Sequence, residues 1–315
     1  MKIVILDRCT VTKGDVDLSL FEKYGQVEYY DLLNKEEIIK VLQGAEAVVC
    51  NKAVIDREII DKTSLGFIGL FATGYNNIDI EYAKEKNIVV CNVPGYSTDS
   101  VVQHTFALLL ELAGNTAKYI DSVSKGDWKR SKKFSYFHSS ITEISGKTLG
   151  IYGLGTIGAA VAKVALSFNM KVIAYTRTPK NIEGVEFVSK EQLFKQSDFL
   201  SIHCPLNEES KNLINKNTLS LMKKSSYLIN TARGGVINEN DLAYFLESDL
   251  IAGAAVDVLV NEPMAEDCVL YGVKNCIITP HIAWAALEAR KRLIDMVCEN
   301  LDMYKKKTPI NVVNR

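Results

Sequence analysis

The sequence offers little to a metal or to a disulfide framework. It holds only four histidines, none spaced with another His or Cys as ligands usually are, so no metal site is expected. Its seven cysteines (Cys9, Cys50, Cys91, Cys204, Cys268, Cys276 and Cys298) are scattered, odd in number and never arranged as C-x-x-C. Most lie in or beside apolar runs and are expected to be thiols of a reducing compartment. No apolar run reaches the length of a membrane span, and the N-terminus enters Lys2-Ile-Val-Ile-Leu6 without a signal-peptide pattern, so a cytoplasmic protein is expected. Charge of one sign is also missing: 37 basic residues face 38 acidic ones, which argues against a general affinity for nucleic acid or membrane. The clusters Ser131-Lys-Lys133 and Lys305-Lys-Lys307 are short enough to be solvated surface. Neither an internal repeat nor a low-complexity stretch is visible. What remains is 47% hydrophobic and 24% charged over 315 residues, the composition of a soluble protein long enough for two domains.

The opening third alternates apolar runs with amphipathic stretches. Strands are predicted near Ile3 to Leu6, Ala47 to Cys50, Phe67 to Phe71 and Ile88 to Cys91, and helices near Glu36 to Leu42, Asp56 to Lys62 and Asp79 to Lys86. This is α/β with a parallel sheet. Pro94 and Gly95 break the pattern, and a strongly apolar helix from Val101 to Leu112 begins a second domain. That domain carries Thr148-Leu-Gly-Ile-Tyr-Gly-Leu-Gly-Thr-Ile-Gly158, in which Gly153, Gly155 and Gly158 have the G-x-G-x-x-G spacing of a dinucleotide-binding turn. An apolar run precedes the turn. Helical spacing of Ile157, Val161, Val164, Ala165 and Phe168 follows, and Lys171 to Tyr175 resumes as a strand. The glycines allow a tight turn, a close approach of backbone to pyrophosphate, and a helix packed on its strand with its N-terminus, Thr156 and Ile157, toward the phosphates. Ordinary strand-turn-helix structure with incidental glycines is the alternative.

Further strands are predicted at Phe199 to Ile202, Tyr227 to Asn230, Gly253 to Val258 and Cys276 to Ile278, and ligands of such sheets bind outside the carboxyl ends. That places His203, Thr231 to Gly235, Asp257 and Thr279 to His281 at one crevice. Arg233, Glu262 and His281 among these strand ends are a guanidinium, a carboxylate and an imidazole, a set suited to holding, polarising and protonating a carbonyl. Taken singly, Arg233 also fits surface ion pairs, Glu262 a plain turn before Pro263, and His281 a satisfied core histidine. The last helix, near Trp284 to Tyr304, can carry the chain back to the first domain, giving boundaries of 1–97 with 285–315, and 98–284.

The chain resembles the D-isomer-specific 2-hydroxyacid dehydrogenases over nearly its whole length, in their glycerate dehydrogenase or hydroxypyruvate/glyoxylate reductase branch. The resemblance rests on Ala72-Thr-Gly-Tyr-Asn-Asn-Ile-Asp79, Val93 to Thr105, the glycine turn, Asn230-Thr-Ala-Arg-Gly-Gly235, Asp257-Val-Leu-Val-Asn-Glu-Pro263 and Thr279-Pro-His-Ile-Ala-Trp284, in that order. It implies two Rossmann-like parallel-sheet domains, one flavodoxin-like and one dinucleotide-binding, with a cleft between them that closes on substrate, and a homodimer. It also implies that His281 is the acid and base at the substrate oxygen, that ionised Glu262 stabilises its imidazolium, and that Arg233 binds the 2-oxo carboxylate through its donor fork. Ala72, Thr73 and Gly74 would grip the same carboxylate through backbone N–H groups. Lys52 either adds charge there or is a solvated loop lysine, and Trp284 either walls the pocket or begins the last helix in the core. His203, Cys204, Pro205, Thr231 and Ala232 would line the cofactor cleft, where Asp257 meets the nicotinamide carboxamide or serves as a structural strand-end aspartate. His104 is read as structural or cleft-lining, and His138 has no assignment.

One departure concerns the cofactor. Where NAD sites present an acid to the ribose, this chain has Thr176, followed by Arg177, Thr178 and Lys180, a set suited to a 2′-phosphate. NADP(H) is therefore favoured over NAD(H), although Arg177 can also stack on adenine. The expected activity is reduction of hydroxypyruvate or glyoxylate to its D-2-hydroxy acid. A dinucleotide-sensing, corepressor-like binding module is the competing class. A formate dehydrogenase is disfavoured because that family carries Gln in place of Glu262. A phosphoglycerate dehydrogenase with a regulatory extension is disfavoured because the sequence ends at Arg315.

Overall fold

A computed structural model describes residues 1–178 and 182–315. The chain forms two compact units, one from Met1–Ser97 with Trp284–Arg315 and the other from Thr98–Ala283.

Among the described residues the first unit contains β1 (Lys2–Ile5), β2 (Gln26–Tyr29), β3 (Ala47–Cys50), β4 (Phe67–Leu70) and β5 (Val89–Cys91). They run parallel in the order β2-β1-β3-β4-β5. Because successive strand residues face opposite sides, Ile3, Ile5, Val49 and Phe67 pack with Leu293, Val297 and Leu301 of the helix Leu287–Lys305. Val4, Val48, Ile68 and Leu70 pack on the other face with Ile38, Ile59 and Ala83. These belong to the helices Lys35–Val41, Arg57–Asp61 and Ile80–Glu85, whose first turns are capped by the side chains of Asn34, Asp56 and Asp79. The strand order reverses between β1 and β3. There the buried carboxylate of Asp7 accepts the backbone N–H groups of Asn51, Lys52 and Ala53. Burial raises its pKa against the pull of those hydrogen bonds.

The second unit contains β6 (Thr148–Tyr152), β7 (Lys171–Tyr175), β8 (Val185–Phe187), β9 (Phe199–Ile202), β10 (Tyr227–Asn230), β11 (Gly253–Val256) and β12 (Cys276–Ile278). The order is β12-β11-β10-β9-β6-β7-β8, with each pair parallel. The chain winds outward from β6 through β8 and restarts on the other side at β9, so the switch point for a ligand lies between β6 and β9. Leu149, Ile151, Val172 and Ala174 pack with Val161, Ala162 and Ala165 of the helix Thr156–Ser167 and with Val102, Phe106 and Leu109 of the helix Thr98–Gly114. Leu200, Ile202, Leu228 and Val256 face a second cluster with Leu193, Leu242 and Leu246.

Two strands lack a sequence prediction, β2 and β8. Both are at sheet edges and neither is fully buried, so neither has a continuous apolar run. The helices Thr116–Ser124 and Asp127–Arg130 are likewise unpredicted, and their burial is slight. No helix among the described residues is long and apolar enough to cross a membrane.

Candidate active site

The seven parallel strands of the second unit end on one edge, and nearly all its candidate residues sit there. β6 runs into Gly153 with a φ of +96°, a conformation that favours glycine. A Cβ at Gly153 would also stand 2.8 Å from the carbonyl of His203, after β9, and one at Gly158 would stand 2.1 Å from the carbonyl oxygen of Gly153. Gly155 differs: a Cβ there would meet nothing within 4 Å. It is exposed, it precedes the helix Thr156–Ser167, and it makes no side-chain cap. Thr156 after it is exposed and Ile157 partly buried, and the first N–H groups of a helix lack intrahelical acceptors, which is what a pyrophosphate uses. The site fits a dinucleotide.

Around this turn, Thr176 follows β7 directly and is partly buried, while Arg177 and Thr178 are exposed. Arg177 Nη1 donates to Glu209 Oε2 at 3.4 Å. Lys180, grouped with them by sequence, lies outside the described residues. His203 Nε2 meets Ser201 Oγ at 2.8 Å, and desolvation lowers its pKa to about 4, so the ring is neutral. Cys204 beside it has a thiol pKa raised by burial, and Pro205 is exposed.

After β10 the chain makes a tight loop held by Asn230. Its Oδ1 accepts from Ala232 N at 3.0 Å and its Nδ2 donates to Arg233 O at 2.9 Å. Gly234 is required next, because a Cβ there would lie 2.0 Å from Leu259 backbone. The guanidinium of Arg233 is left exposed, its Nη1 donating to Ala232 O at 2.7 Å. Thr231 is buried, with Oγ1 3.0 Å from Thr105 Oγ1.

Glu262 Oε1 accepts from Leu259 N at 2.9 Å, and its Oε2 lies 2.6 Å from His281 Nδ1. One carboxylate oxygen is thus anchored to backbone and the other fixes the imidazole, which directs Nε2 away from the pair as the edge able to exchange a proton. His281 has a φ of +54°, uncommon for a residue with a side chain. Its amide is held by Asp257 O at 2.8 Å and Thr279 O at 2.9 Å. Asp257 is 1% exposed, and its carboxylate accepts Thr279 Oγ1 at 2.6 Å, Ile282 N at 2.9 Å and Ala283 N at 2.8 Å. Desolvation opposes its charge, but hydrogen bonds from His104, Thr279 and these amides outweigh it and leave the pKa below the ordinary aspartate value. These bonds give Asp257 the structural role at a strand end that was one of its two sequence readings.

In the first unit, the Ala72 to Gly74 loop follows β4. Val93 N donates to Ala72 O at 2.9 Å, Thr73 Oγ1 donates to Val93 O at 2.7 Å, and Asn92 Nδ2 donates to Thr73 O at 2.7 Å. The loop's carbonyls are thereby tied down. Lys52 follows β3 with an exposed side chain. Trp284 packs on that unit's own core, edge-on to Tyr96 at 6.4 Å. Ser100 and Asn230 are absent from the sequence's candidates, and His104 is there only as a structural or cleft-lining residue. Ser100 and His104 carried a usable signal, since polar residues four apart on an apolar helix share a face.

Comparison with known proteins agrees with this geometry. The sequence profile of the D-isomer specific 2-hydroxyacid dehydrogenase, NAD binding domain, matches residues 106–283. The chain belongs to the D-isomer-specific 2-hydroxyacid dehydrogenase family. It is 40% identical to the hydroxypyruvate reductase of Blautia hydrogenotrophica, with 100% of both chains covered. It is 36% identical to the glycerate dehydrogenase of Methylorubrum extorquens, over 99% of this chain and 98% of that one. The solved structure of the acyclic imino acid reductase Bsp5 in complex with NADPH and D-Arg superposes with a TM-score of 0.87 at 32% identity, covering 99% of this chain and 100% of that one. As a member of this family, the chain is an oxidoreductase that uses a nicotinamide dinucleotide and acts on the CH–OH group of 2-hydroxy acids.

Proposed function

We propose that this dehydrogenase reduces hydroxypyruvate or glyoxylate to the D-2-hydroxy acid, with His281 as the acid, Glu262 as its partner and Arg233 as the carboxylate and carbonyl ligand. The observation that carries the reading is the 2.6 Å contact between His281 Nδ1 and Glu262 Oε2. A carboxylate on Nδ1 fixes the ring's orientation and leaves Nε2 as the edge that would meet a substrate oxygen. Arg233 offers its fork to a planar 2-oxo carboxylate, since among the described residues its bond goes to the neighbouring carbonyl of Ala232. Ala72, Thr73 and Gly74 supply N–H groups of the kind that hold a carboxylate, and Lys52 adds positive charge to the same unit. A bound nicotinamide dinucleotide supplies the hydride. Gly153, Gly155, Gly158, Thr156 and Ile157 would take its pyrophosphate, and His203, Cys204, Pro205, Thr231 and Ala232 its remaining length. The names of the two relatives above support the substrate.

NADPH is favoured over NADH. No acid directly follows β7, where the chain reads Thr176, Arg177 and Thr178, a set that would suit a 2′-phosphate. The protein is a cytoplasmic homodimer in this reading. The dimer is supported by the apolar surface of residues 116–141, where Phe134 is 95% exposed, Phe137 88% and Ile120 64%. The test is initial rates with hydroxypyruvate and with glyoxylate, each with NADPH and with NADH. Higher kcat/KM with NADPH supports the reading of Arg177. A preference for NADH leaves the reductase and removes the phosphate site. Dinucleotide binding without turnover on either acid would favour another 2-oxo acid or the sensing module.

A further inference from the structure

We infer that the helix Thr98–Gly114 is the template that sets the two catalytic loops of the second unit, and that His104 is its positioning residue for His281. The inference rests on the proposed role of His281 as the acid.

His281 sits in a strained backbone conformation, with φ at +54°, and such a residue keeps its geometry only where its surroundings over-determine it. The segment Thr279 to Ala283 is held at both ends by one helix face. Ser100 Oγ donates to Ala283 O at 2.6 Å, and one turn later His104 Nε2 lies 3.0 Å from Thr279 Oγ1 and 3.3 Å from Asp257 Oδ1. The proton positions follow from the contacts. The single hydroxyl proton of Thr279 is committed to Asp257 Oδ1 at 2.6 Å. Thr279 Oγ1 can therefore only accept from His104, and Nε2 carries the hydrogen. His104 thus donates to the pair that in turn holds the amides of Ile282 and Ala283. The adjacent residue, Thr105, reaches the other loop through its 3.0 Å contact with Thr231, two residues before Arg233.

An apolar helix needs none of these polar groups for packing: Val102, Phe106 and Leu109 already fill its core face. They reach instead the segments that carry His281 and Arg233: Ser100 the carbonyl of Ala283, His104 the side chains of Thr279 and Asp257, and Thr105 the side chain of Thr231. A displacement of the order of 1 Å at a reacting group can cost about a hundredfold in rate, so a contact that never touches substrate can govern kcat.

The test compares wild type with His104→Phe, His104→Gln, Thr279→Val, the double variant His104→Phe/Thr279→Val, and His281→Ala. Each is assayed for kcat and KM in 2-oxo acid reduction, for cofactor affinity by fluorescence titration, and for thermal midpoint. The expected result is that His104→Phe and Thr279→Val each lower kcat by about ten- to a hundredfold with KM and cofactor affinity within about twofold. Glutamine at 104, which keeps a donor, restores most of the loss. The double variant is no worse than the poorer single, because both changes break one route. If His104→Phe does not fold, Thr279→Val and His104→Gln still decide the matter. Unchanged kcat, fully additive losses, or a loss that follows the thermal midpoint and is not rescued by glutamine would overturn the inference while His281→Ala remains inactive. Turnover retained by His281→Ala would instead remove the reading of the acid, and the inference with it.

Discussion

Asp257 holds His281 from both sides: its carbonyl oxygen takes the amide of His281 at 2.8 Å, and its carboxylate takes the amides of Ile282 and Ala283 at 2.9 and 2.8 Å. The residue proposed as the acid is therefore registered by a strand end that itself need not touch substrate. Replacing that carboxylate should misplace the loop and weaken the fold together.

Asp257→Asn is expected to lower kcat at least tenfold and to reduce stability at pH 7 by about 1–3 kcal/mol, the cost of leaving buried donors poorly satisfied. The pH dependence has a definite sign. The folded pKa of Asp257 lies below the ordinary value, so its charge contributes stability that is present above about pH 4 and lost as pH falls through the folded pKa. Urea unfolding of both proteins should show the gap between them narrowing below about pH 4. A gap that widens on acidification would contradict the assignment.

His203 carries the opposite ionisation logic. Desolvation brings its pKa down from 6.5 to about 4, so the unfolded chain binds a proton that the folded chain refuses between those values. Stability from this residue is complete above about pH 6.5 and declines as pH falls toward 4, by at most about 3 kcal/mol and by less for the part of the ring in contact with solvent. His203→Asn should flatten that limb of the stability profile, measured by denaturation from pH 7 to pH 4. An equally steep limb would place the titrating group elsewhere.

Gly153→Ala tests the turn. The new methyl would sit 2.8 Å from the His203 carbonyl in a backbone with φ at +96°. A loss of about 1–3 kcal/mol and at least tenfold weaker dinucleotide binding are expected, read by thermal melting and fluorescence titration. Gly155→Ala meets no atom of the chain, so it should melt near wild type while losing cofactor affinity. Equal behaviour of the two variants would mean that Gly155 does not face the ligand.

The legible parts of this chain are those with a physical reason to be periodic. β3, β4, β9 and β11 are buried throughout and read as unbroken apolar runs, whereas β2 and β8 are edge strands whose exposed positions dilute the signal. Arg233, Glu262 and His281 were nameable because unlike polar groups ended apolar runs. Their bonds were not, because a contact across 19 residues depends on where two loops turn. Asn230 illustrates the limit. As a strand's last residue it looked ordinary, yet its side chain shapes the loop that presents Arg233.

Glu262→Gln separates the two tasks of the carboxylate. Glu262 accepts hydrogen bonds from Leu259 N and from His281 Nδ1, one on each oxygen. A glutamine has one accepting oxygen and one donating NH2, so it can satisfy only one of these partners. If it keeps Leu259, its NH2 faces Nδ1, which must then be unprotonated, and the ring becomes a neutral imidazole with its hydrogen on Nε2. A neutral imidazole is a far weaker proton donor than an imidazolium, so reduction should slow by about a hundredfold, with cofactor affinity unchanged. Oxidation of the 2-hydroxy acid should slow as well, because a ring that carries its hydrogen on Nε2 cannot take the hydroxyl proton there. Measuring kcat in both directions at pH 7 beside an unchanged thermal midpoint distinguishes this from simple misfolding. Reduction within twofold of wild type would show that the carboxylate charge does not serve His281.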